Sequence, residues 1–385
     1  MKTIYLLFIL AFLLSCTPNN DNNYSFERIH YSKEYISLND SLEFKFIPLE
    51  TTDSCLIGSI SNIQIRNNLI FILEGRKSED LFVFDMNGKF ISKVGKKGGG
   101  PGQYTRIADF DIDVNRHLIV LSDMHQEHLL FYDLDSYKFK FSLKTNFYYN
   151  QFNLLSDGKV LFFGCNGFEN PNNINNPDPY YLLRTDSLMI PEATYWKADF
   201  ITPYTLRGMG KNNMYRYNNE IYVYHHLFPY IWKYKEDQIE AIYQIEFEDY
   251  RFPNIDFLKE ESQISGKNKD YTQKLSHSDF ITNYIVNECS DIISISIQKN
   301  NIPIQALYNK KSKKGYIFPL KDYYRSLNFG MLMFPIGATD EYIIGCIQMN
   351  DDILRVKENM KLYKYIENRS LEENPIICLY KWKQD

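Results

Sequence analysis

A unit of four short strand-like runs recurs along this chain and limits the possible folds more than any other feature. The runs are rich in Ile, Tyr, Phe and Val, which favour β-strands, and turn signals such as Asn87-Gly88 separate them. The second run of each unit is centred near Ile70, Ile119, Leu161, Tyr222, Ile293 and Ile343. The intervals, roughly 40 to 70 residues, bracket the period of a four-stranded propeller blade when loop insertions are allowed.

This recurrence predicts an all-β protein, a six-bladed β-propeller. The sixth unit shows only three strands before the chain ends, and one additional strand at 42–49 precedes the first unit. The alternation of Leu42, Phe44 and Phe46 with Glu43 and Lys45 suits an outer strand with one buried side. We therefore expect 42–49 to pair with 376–382, because this pairing closes the ring and removes two open sheet edges.

Three insertions interrupt the β pattern. The segment 254–276 predicts one or two short helices between the fourth and fifth units, and 353–371 predicts an amphipathic helix within the sixth. The segment 166–179 is rich in Asn and Pro and is predicted to be a loop.

A glycine-rich loop over 95–102 joins the first and second units. Its five glycines and Pro101 exclude a helix or a strand. A phosphate-binding loop would continue into Lys-Ser or Lys-Thr and a helix, whereas a strand follows here, with Asp109, Asp111 and Asp113 on one face. We predict that 95–102 forms a tight turn between blades. The aspartates would either bind Ca²⁺ at the channel or accept hydrogen bonds from turns and from neighbouring blades.

The N-terminus has the pattern of a secretion signal. Lys2 precedes an apolar run over 4–14, which is too short to span a bilayer and ends in Leu13-Leu14-Ser15-Cys16. These four residues resemble the lipobox of bacterial lipoproteins, in which the cysteine receives the lipids and becomes the mature N-terminus. In such lipoproteins an Asp directly after the cysteine retains the protein in the inner membrane. Thr17 occupies that position here, so the same resemblance implies the outer membrane. An ordinary signal peptide with a chance cysteine is the alternative.

The predicted organisation is a signal peptide over 1–15, a polar tether over 16–25 and a propeller domain over 26–385. The motifs IPLETTDSCLIG and GKKGGGPGQY, followed by ADFDID, resemble the six-bladed, NHL-like β-propeller lipoproteins of diderm bacteria. That resemblance implies the fold and an outer-membrane location, periplasmic or surface-exposed, without an assigned reaction.

Composition excludes some classes of partner. The net charge of −5 and the pI near 5.9 argue against nucleic-acid binding, and the lysines at 310–314 are predicted to form a solvated turn. Apart from Cys16, the five cysteines lack metal-site spacing, although a disulfide between Cys346 and Cys378 could form on neighbouring strands. A monomeric domain is expected.

The insertions predict where a ligand would bind. Loops between the second and third strands of a blade, and loops between blades, emerge on one face, which we call the insert face. It would carry 95–106, 166–179, 200–212, 249–279 and 350–373. The candidate ligand-binding residues near it are Arg106, Asp109, Asp123, His125, Tyr204, Arg207, His225 and His226.

Two functions remain open from the sequence. The first is a non-catalytic binding or scaffold lipoprotein for a protein, peptide or glycan, with no cofactor. Its aromatic residues Phe168, Tyr180, Tyr204, Tyr215, Phe228 and Tyr230 would either form a platform or pack between blades. The second is a lyase or a lactonase-type hydrolase with a divalent metal at the channel mouth, held by His125, His128, His225 and His226. GxSxG, HxH and HExxH motifs are absent from the sequence.

Overall fold

A computed structural model describes residues 26–165, 180–197, 212–254, 256–257, 275–300 and 302–383. It forms the predicted six blades of four antiparallel strands each. We letter the strands of a blade A to D from the channel outward. The six A strands contact one another in a closed ring, each touching the A strands of the blades on either side.

The strands of blades one to three follow the sequence units in order. Blade one contains β3 (Ile60–Arg66), β4 (Leu69–Glu74), β5 (Leu81–Asp85) and β6 (Phe90–Val94). Two short strands, β7 (Lys96–Lys97) and β8 (Gln103–Tyr104), form the glycine-rich turn to the next blade. Blade two contains β9 (Asp109–Asp113), β10 (Leu118–Asp123), β11 (His128–Asp133) and β12 (Phe139–Lys144), and blade three contains β13 (Gln151–Leu154), β14 (Val160–Cys165), β15 (Tyr180–Thr185) and β16 (Pro191–Lys197).

Blades four to six complete the ring. Blade four contains β17 (Met214–Tyr217), β18 (Glu220–Tyr224), β19 (Tyr230–Lys235) and β20 (Gln238–Phe247). Blade five contains β21 (Asn283–Glu288), β22 (Ile292–Lys299), β23 (Ile302–Asn309) and β24 (Lys314–Pro319). In the turn between its last two strands Lys311, Lys313 and Lys314 are exposed as predicted, whereas Lys310 is partly buried. Blade six contains β25 (Phe334–Ala338), β26 (Ile343–Ile347), β27 (Ile376–Trp382) and, from the other end of the chain, β2 (Leu42–Pro48).

The predicted closure of the ring is confirmed. Strand β2 pairs antiparallel with β27 over its whole length, from Leu42 opposite Trp382 to Pro48 opposite Ile376. Leu42 and Phe46 are buried in the core of blade six, whereas Glu43 and Lys45 are exposed. The backbone groups of both strand edges are thereby paired, which is the physical reason for the pairing.

A strand that the sequence pattern does not predict, β1 (Glu27–Ser32), joins blades four and five. It lies parallel to both β20 and β24 and connects the two outer edges into one nine-stranded sheet. Ile29 and Tyr31 are fully buried in it. Strands β1 and β24 approach each other closely at Gly315, where a Cβ would lie 2.2 Å from the His30 carbonyl oxygen.

The prediction of an amphipathic helix over 353–371 is wrong. The segment contains two short 3-10 turns, Asp351–Arg355 and Tyr363–Tyr365. Its buried apolar residues are Leu362 and Ile366, one turn apart, while Leu354 is exposed, so the segment lacks the apolar stripe that would hold a longer helix on the core. Two α-helices, α1 (Leu38–Ser41) and α2 (Leu320–Leu327), lie wholly within the described residues. Most of 254–276 lies outside the described residues.

Candidate functional site

The A strands of all six blades line a central channel with about 670 Å³ of space between protein atoms, including its open ends. The enclosed part of this space is about 80 Å³, room for several water molecules or one small polar group. Most blades contribute polar side chains to the lining, including Asn62, Gln64, Arg66, Asp109, Asp111, Gln151, Asn153, Arg216, Asn287 and Glu288. The channel therefore offers hydrogen-bonding groups from several directions on a rigid frame of strands.

Asp109 holds three blades together at the insert-face end of the channel. Its Oδ1 accepts a hydrogen bond from Asn62 Nδ2 of blade one at 2.8 Å, and its Oδ2 accepts a 3.4 Å bond from the Phe152 backbone N–H of blade three. Gln151 of blade three makes two reciprocal 2.8 Å bonds with the backbone of Met214 in blade four. These contacts fix the positions of the side chains around the channel.

Asp111 plays the same role deeper in the channel. Its Oδ2 accepts from Arg216 Nη2 of blade four at 3.1 Å and from the Leu154 N–H of blade three at 2.8 Å. The same guanidinium nitrogen donates to the Leu154 carbonyl at 2.8 Å. Asp111 and Arg216 thus form an ion pair whose partners are held by three blades.

Arg66 is the other arginine of the channel, and its environment differs. Its guanidinium donates to the adjacent Ile65 carbonyl at 3.0 Å, and no described carboxylate lies within ion-pairing distance of it. Burial lowers the pKa of Arg66; Asp111 and Asp340 oppose this shift, and the charge of Arg216 adds to it. Arg66 is therefore a half-buried cation without a close counter-ion in the part of the chain that the structure describes.

Three amide atoms in the channel wall are buried without a hydrogen-bond partner among the described residues. They are Gln64 Oε1, Asn153 Oδ1 and Asn287 Nδ2. Asn153 and Asn287 are each 7% exposed. Buried polar atoms in folded proteins almost always have partners, so an acceptor–donor set of this kind calls for water or a polar ligand.

Glu288 lies at the end of β21, fully buried beneath the channel surface. Its oxygens accept hydrogen bonds from Tyr215 Oη at 2.7 Å, Tyr243 Oη at 3.0 Å and Lys310 Nζ at 2.7 Å. Burial acts to lower the pKa of Lys310, but the Glu288 carboxylate outweighs it and the pKa is raised. The ion pair lies within blade five, and the two tyrosine hydroxyls connect its carboxylate to blade four.

Among the predicted ligand-binding residues that the structure describes, Asp109 lines the channel. Asp123 is buried and accepts from Thr105 and from the backbone N–H groups of His125 and Gln126, so it organises the loop between β10 and β11. Arg106 pairs with Glu79 at 2.9 Å. Tyr204 and Arg207 lie outside the described residues, as do Phe168 and Cys16.

The predicted histidines occupy different environments. His125 is exposed, and His128 Nδ1 contacts the Gln126 carbonyl oxygen. The rings of His225, which is buried, and His226, which is half-buried, stack with centroids 4.6 Å apart. Burial lowers the pKa of His226 to about 4 and that of His225 well below its usual value, so both rings are neutral at pH 7. No group of three His, Cys, Asp or Glu residues positioned to hold a metal occurs among the described residues.

The remaining sequence candidates are structural in the described part of the chain. Asp113 pairs with Arg116 at 2.5 Å in the turn after β9, and Phe228 packs on His225. Tyr230 contacts Phe26 and Trp232, whereas Tyr215 stacks on Tyr222 and reaches Glu288 at the channel. Cys55, Cys165, Cys289, Cys346 and Cys378 are free thiols.

Sequence reasoning missed most of the channel residues, including Arg66, Arg216, Asn153 and Asn287. A usable signal was present, because each lies in the first strand of its unit, where the runs SNIQIR, QFNL, MYRY and NYIVNE carry polar residues among apolar ones. The units differ too much in sequence for that shared position to stand out without the fold.

The fold and the channel define a six-bladed β-propeller with a polar central site. The model of the 6-bladed beta-propeller family DUF5128 matches residues 18–346, and the chain belongs to that family. None of the curated proteins matches this chain significantly.

Two solved structures extend the comparison. A Bacteroides fragilis protein named as an exported protein is 25% identical, with a TM-score of 0.83 over 93% of this chain and 100% of the other. A member of the DUF4221 family from Bacteroides vulgatus is 10% identical, with a TM-score of 0.54 over 90% of this chain and 100% of the other, which shows a shared fold. No helix among the described residues is long and apolar enough to cross a membrane.

Proposed function

We propose that this protein is a lipid-anchored binding protein of the cell envelope that takes up a glycan at the channel and the insert face. The observation that carries the proposal is the set of buried, unpartnered amide atoms of Gln64, Asn153 and Asn287, as seen within the described residues. Sugar hydroxyls both donate and accept hydrogen bonds, so they match a wall that presents free acceptors and a free donor. Amide and charged groups on fixed strands also bind without a large ordering cost.

The channel carboxylates support binding rather than chemistry. Asp109 and Asp111 accept hydrogen bonds from neighbouring blades, which commits them to holding the ring and orienting the amides. A general acid or base needs freedom to exchange a proton with a substrate. The polar wall therefore supports recognition of a ligand.

Replacement of the two buried amides tests the binding site. We expect the mature protein to bind oligosaccharides on a glycan array, and the double variant Asn153→Ala/Asn287→Ala to bind about tenfold more weakly in calorimetry, because each lost hydrogen bond is worth about 0.5–1.5 kcal/mol. The matched control is Asn87→Ala, which alters an exposed amide at the turn between β5 and β6.

Other outcomes would redirect the assignment. Absence of glycan binding, together with one envelope protein that co-purifies through the insert face, would favour a protein partner. A stoichiometric divalent ion that is lost when His125 or His225 is replaced would favour the metal-dependent lyase or hydrolase.

The envelope location depends on Cys16. The lipobox and the similarity to a protein named as exported both support it. We expect Cys16→Ala to abolish lipid labelling and to release the protein from the membrane fraction in soluble form, because the lipids of such proteins are attached at this one residue. Labelling with a fatty-acid analogue and fractionation measure this, with Cys55→Ala as the control. Unchanged membrane association of the Cys16 variant would refute the lipid anchor.

A further inference from the structure

The channel contains one cation whose charge the described protein does not balance at close range. Arg216 is paired with Asp111, and Lys310 is paired with Glu288. Arg66 lies beside the first of these pairs, and its guanidinium makes one hydrogen bond to the described residues, to its own neighbour Ile65. A planar group with five N–H donors therefore has most of its donors available to a ligand.

Two carboxylates, Asp111 and Asp340, act electrostatically on Arg66, but both form hydrogen bonds with other groups. Asp111 Oδ2 is occupied by Arg216 and by the Leu154 N–H. Asp340 Oδ1 accepts a 2.8 Å bond from the Asn218 N–H, which links the first turns of blades four and six across the channel end. Movement of either carboxylate toward Arg66 would break contacts between blades. The folded protein therefore keeps these carboxylates away from the N–H donors of Arg66.

We propose that Arg66 binds the carboxylate of an acidic sugar, and that the ligand of this channel is a glycan containing uronic acid. The inference rests on the proposed glycan-binding function and specifies the ligand class. Arg66 would hold the carboxylate through paired N–H donors, with Asn287 Nδ2 as a further donor in the same channel. Gln64 Oε1 and Asn153 Oδ1 would accept hydrogen bonds from ring hydroxyls.

The charge of the wall favours a monoanion over a phosphate. Asp109, Asp111 and Glu288 line the same channel as the two arginines. A phosphate monoester is close to a dianion at neutral pH and would be repelled by these three carboxylates more strongly than a carboxylate would. A carboxylate on a hydroxylated ring places its single charge at Arg66 and its neutral part against the amides.

A matched pair of sugars tests this inference. Galacturonate and galactose share the ring and differ in a carboxylate in place of a hydroxymethyl group. We expect the mature protein to bind galacturonate 10- to 100-fold more tightly than galactose in calorimetry, because hydrogen bonds to a charged group are worth about 1.5–3 kcal/mol. Arg66→Gln should remove this preference by weakening galacturonate binding, whereas Arg66→Lys should retain part of it.

Arg28→Gln is the control, since Arg28 is exposed on β1 outside the channel. Thermal unfolding shows whether each variant is folded, and Arg66→Lys supplies the comparison if Arg66→Gln is not. Equal affinities for the two sugars, or a galacturonate preference that survives in Arg66→Gln, would overturn the acidic-sugar assignment while leaving glycan binding intact. If neither sugar binds in calorimetry and no glycan on the array binds, the proposed function and this inference are both overturned.

Discussion

A variant that lacks residues 26–50 is expected to lose cooperative folding of the whole domain, whereas a variant that lacks residues 17–25 alone is expected to unfold at the temperature of the full mature chain. The longer deletion removes β1 and β2, which seal blades four, five and six. It would expose the partner edges of β20, β24 and β27 and leave their backbone groups unpaired by protein.

The size of the effect follows from burial. The segment 26–50 contributes seven large apolar side chains that are at most 7% exposed: Ile29, Tyr31, Leu38, Leu42, Phe46, Ile47 and Leu49. At about 1.5–3 kcal/mol for each, their burial contributes roughly 10–21 kcal/mol. A typical domain is stable by about 5–15 kcal/mol, so the loss is comparable to the whole free energy of unfolding.

Single substitutions separate the contribution of β2 from that of β1. We expect Phe46→Ala to lower the free energy of unfolding by about 3–5 kcal/mol. Glu43→Ala, at an exposed position of the same strand, should change it by less than about 0.5 kcal/mol. Thermal and urea unfolding measure both. Equal melting temperatures for the two deletion variants would show that β1 and β2 do not hold the ring closed.

The second large effect is expected at the buried carboxylate of Glu288. Glu288→Gln should lower the free energy of unfolding by about 3–5 kcal/mol, because Lys310 would remain partly buried without its counter-ion. The two tyrosine hydroxyls that also donate to Glu288 would lose a charged acceptor. Urea unfolding monitored by fluorescence gives the value.

A surface ion pair of the same type provides the control. Lys381 and Glu341 are also 2.7 Å apart, but the Glu341 side chain is 61% exposed. Glu341→Gln should therefore cost only about 0–1 kcal/mol. Addition of Lys310→Met to the Glu288 variant should restore part of the stability, since it removes the unpaired charge. A loss at Glu288 no larger than the loss at Glu341 would contradict a stabilising role for the buried pair.

The predictions that succeeded depend on short stretches of sequence. All six blades and their strands follow from alternating hydrophobicity and turn signals within a few residues, and the pairing of β2 with β27 follows from counting strands. The helix over 353–371 failed because its apolar spacing was judged without knowing that Leu362 and Ile366 would be the fully buried residues of that segment, with its other apolar side chains only partly buried or exposed. The finer resemblance to NHL-type repeats stays a prediction.

By itself, the sequence determined the number of blades, the strands that form them and the strand that closes the ring, because local periodicity marks each of these strands. Only the tertiary structure decided where β1 lies and which polar residues face one another in the channel. It also left Arg66 without a close counter-ion among the described residues. Those features depend on six A strands that are far apart in the chain and meet at one axis. A pattern within any single strand carries no information about which side chains from the other five will face it.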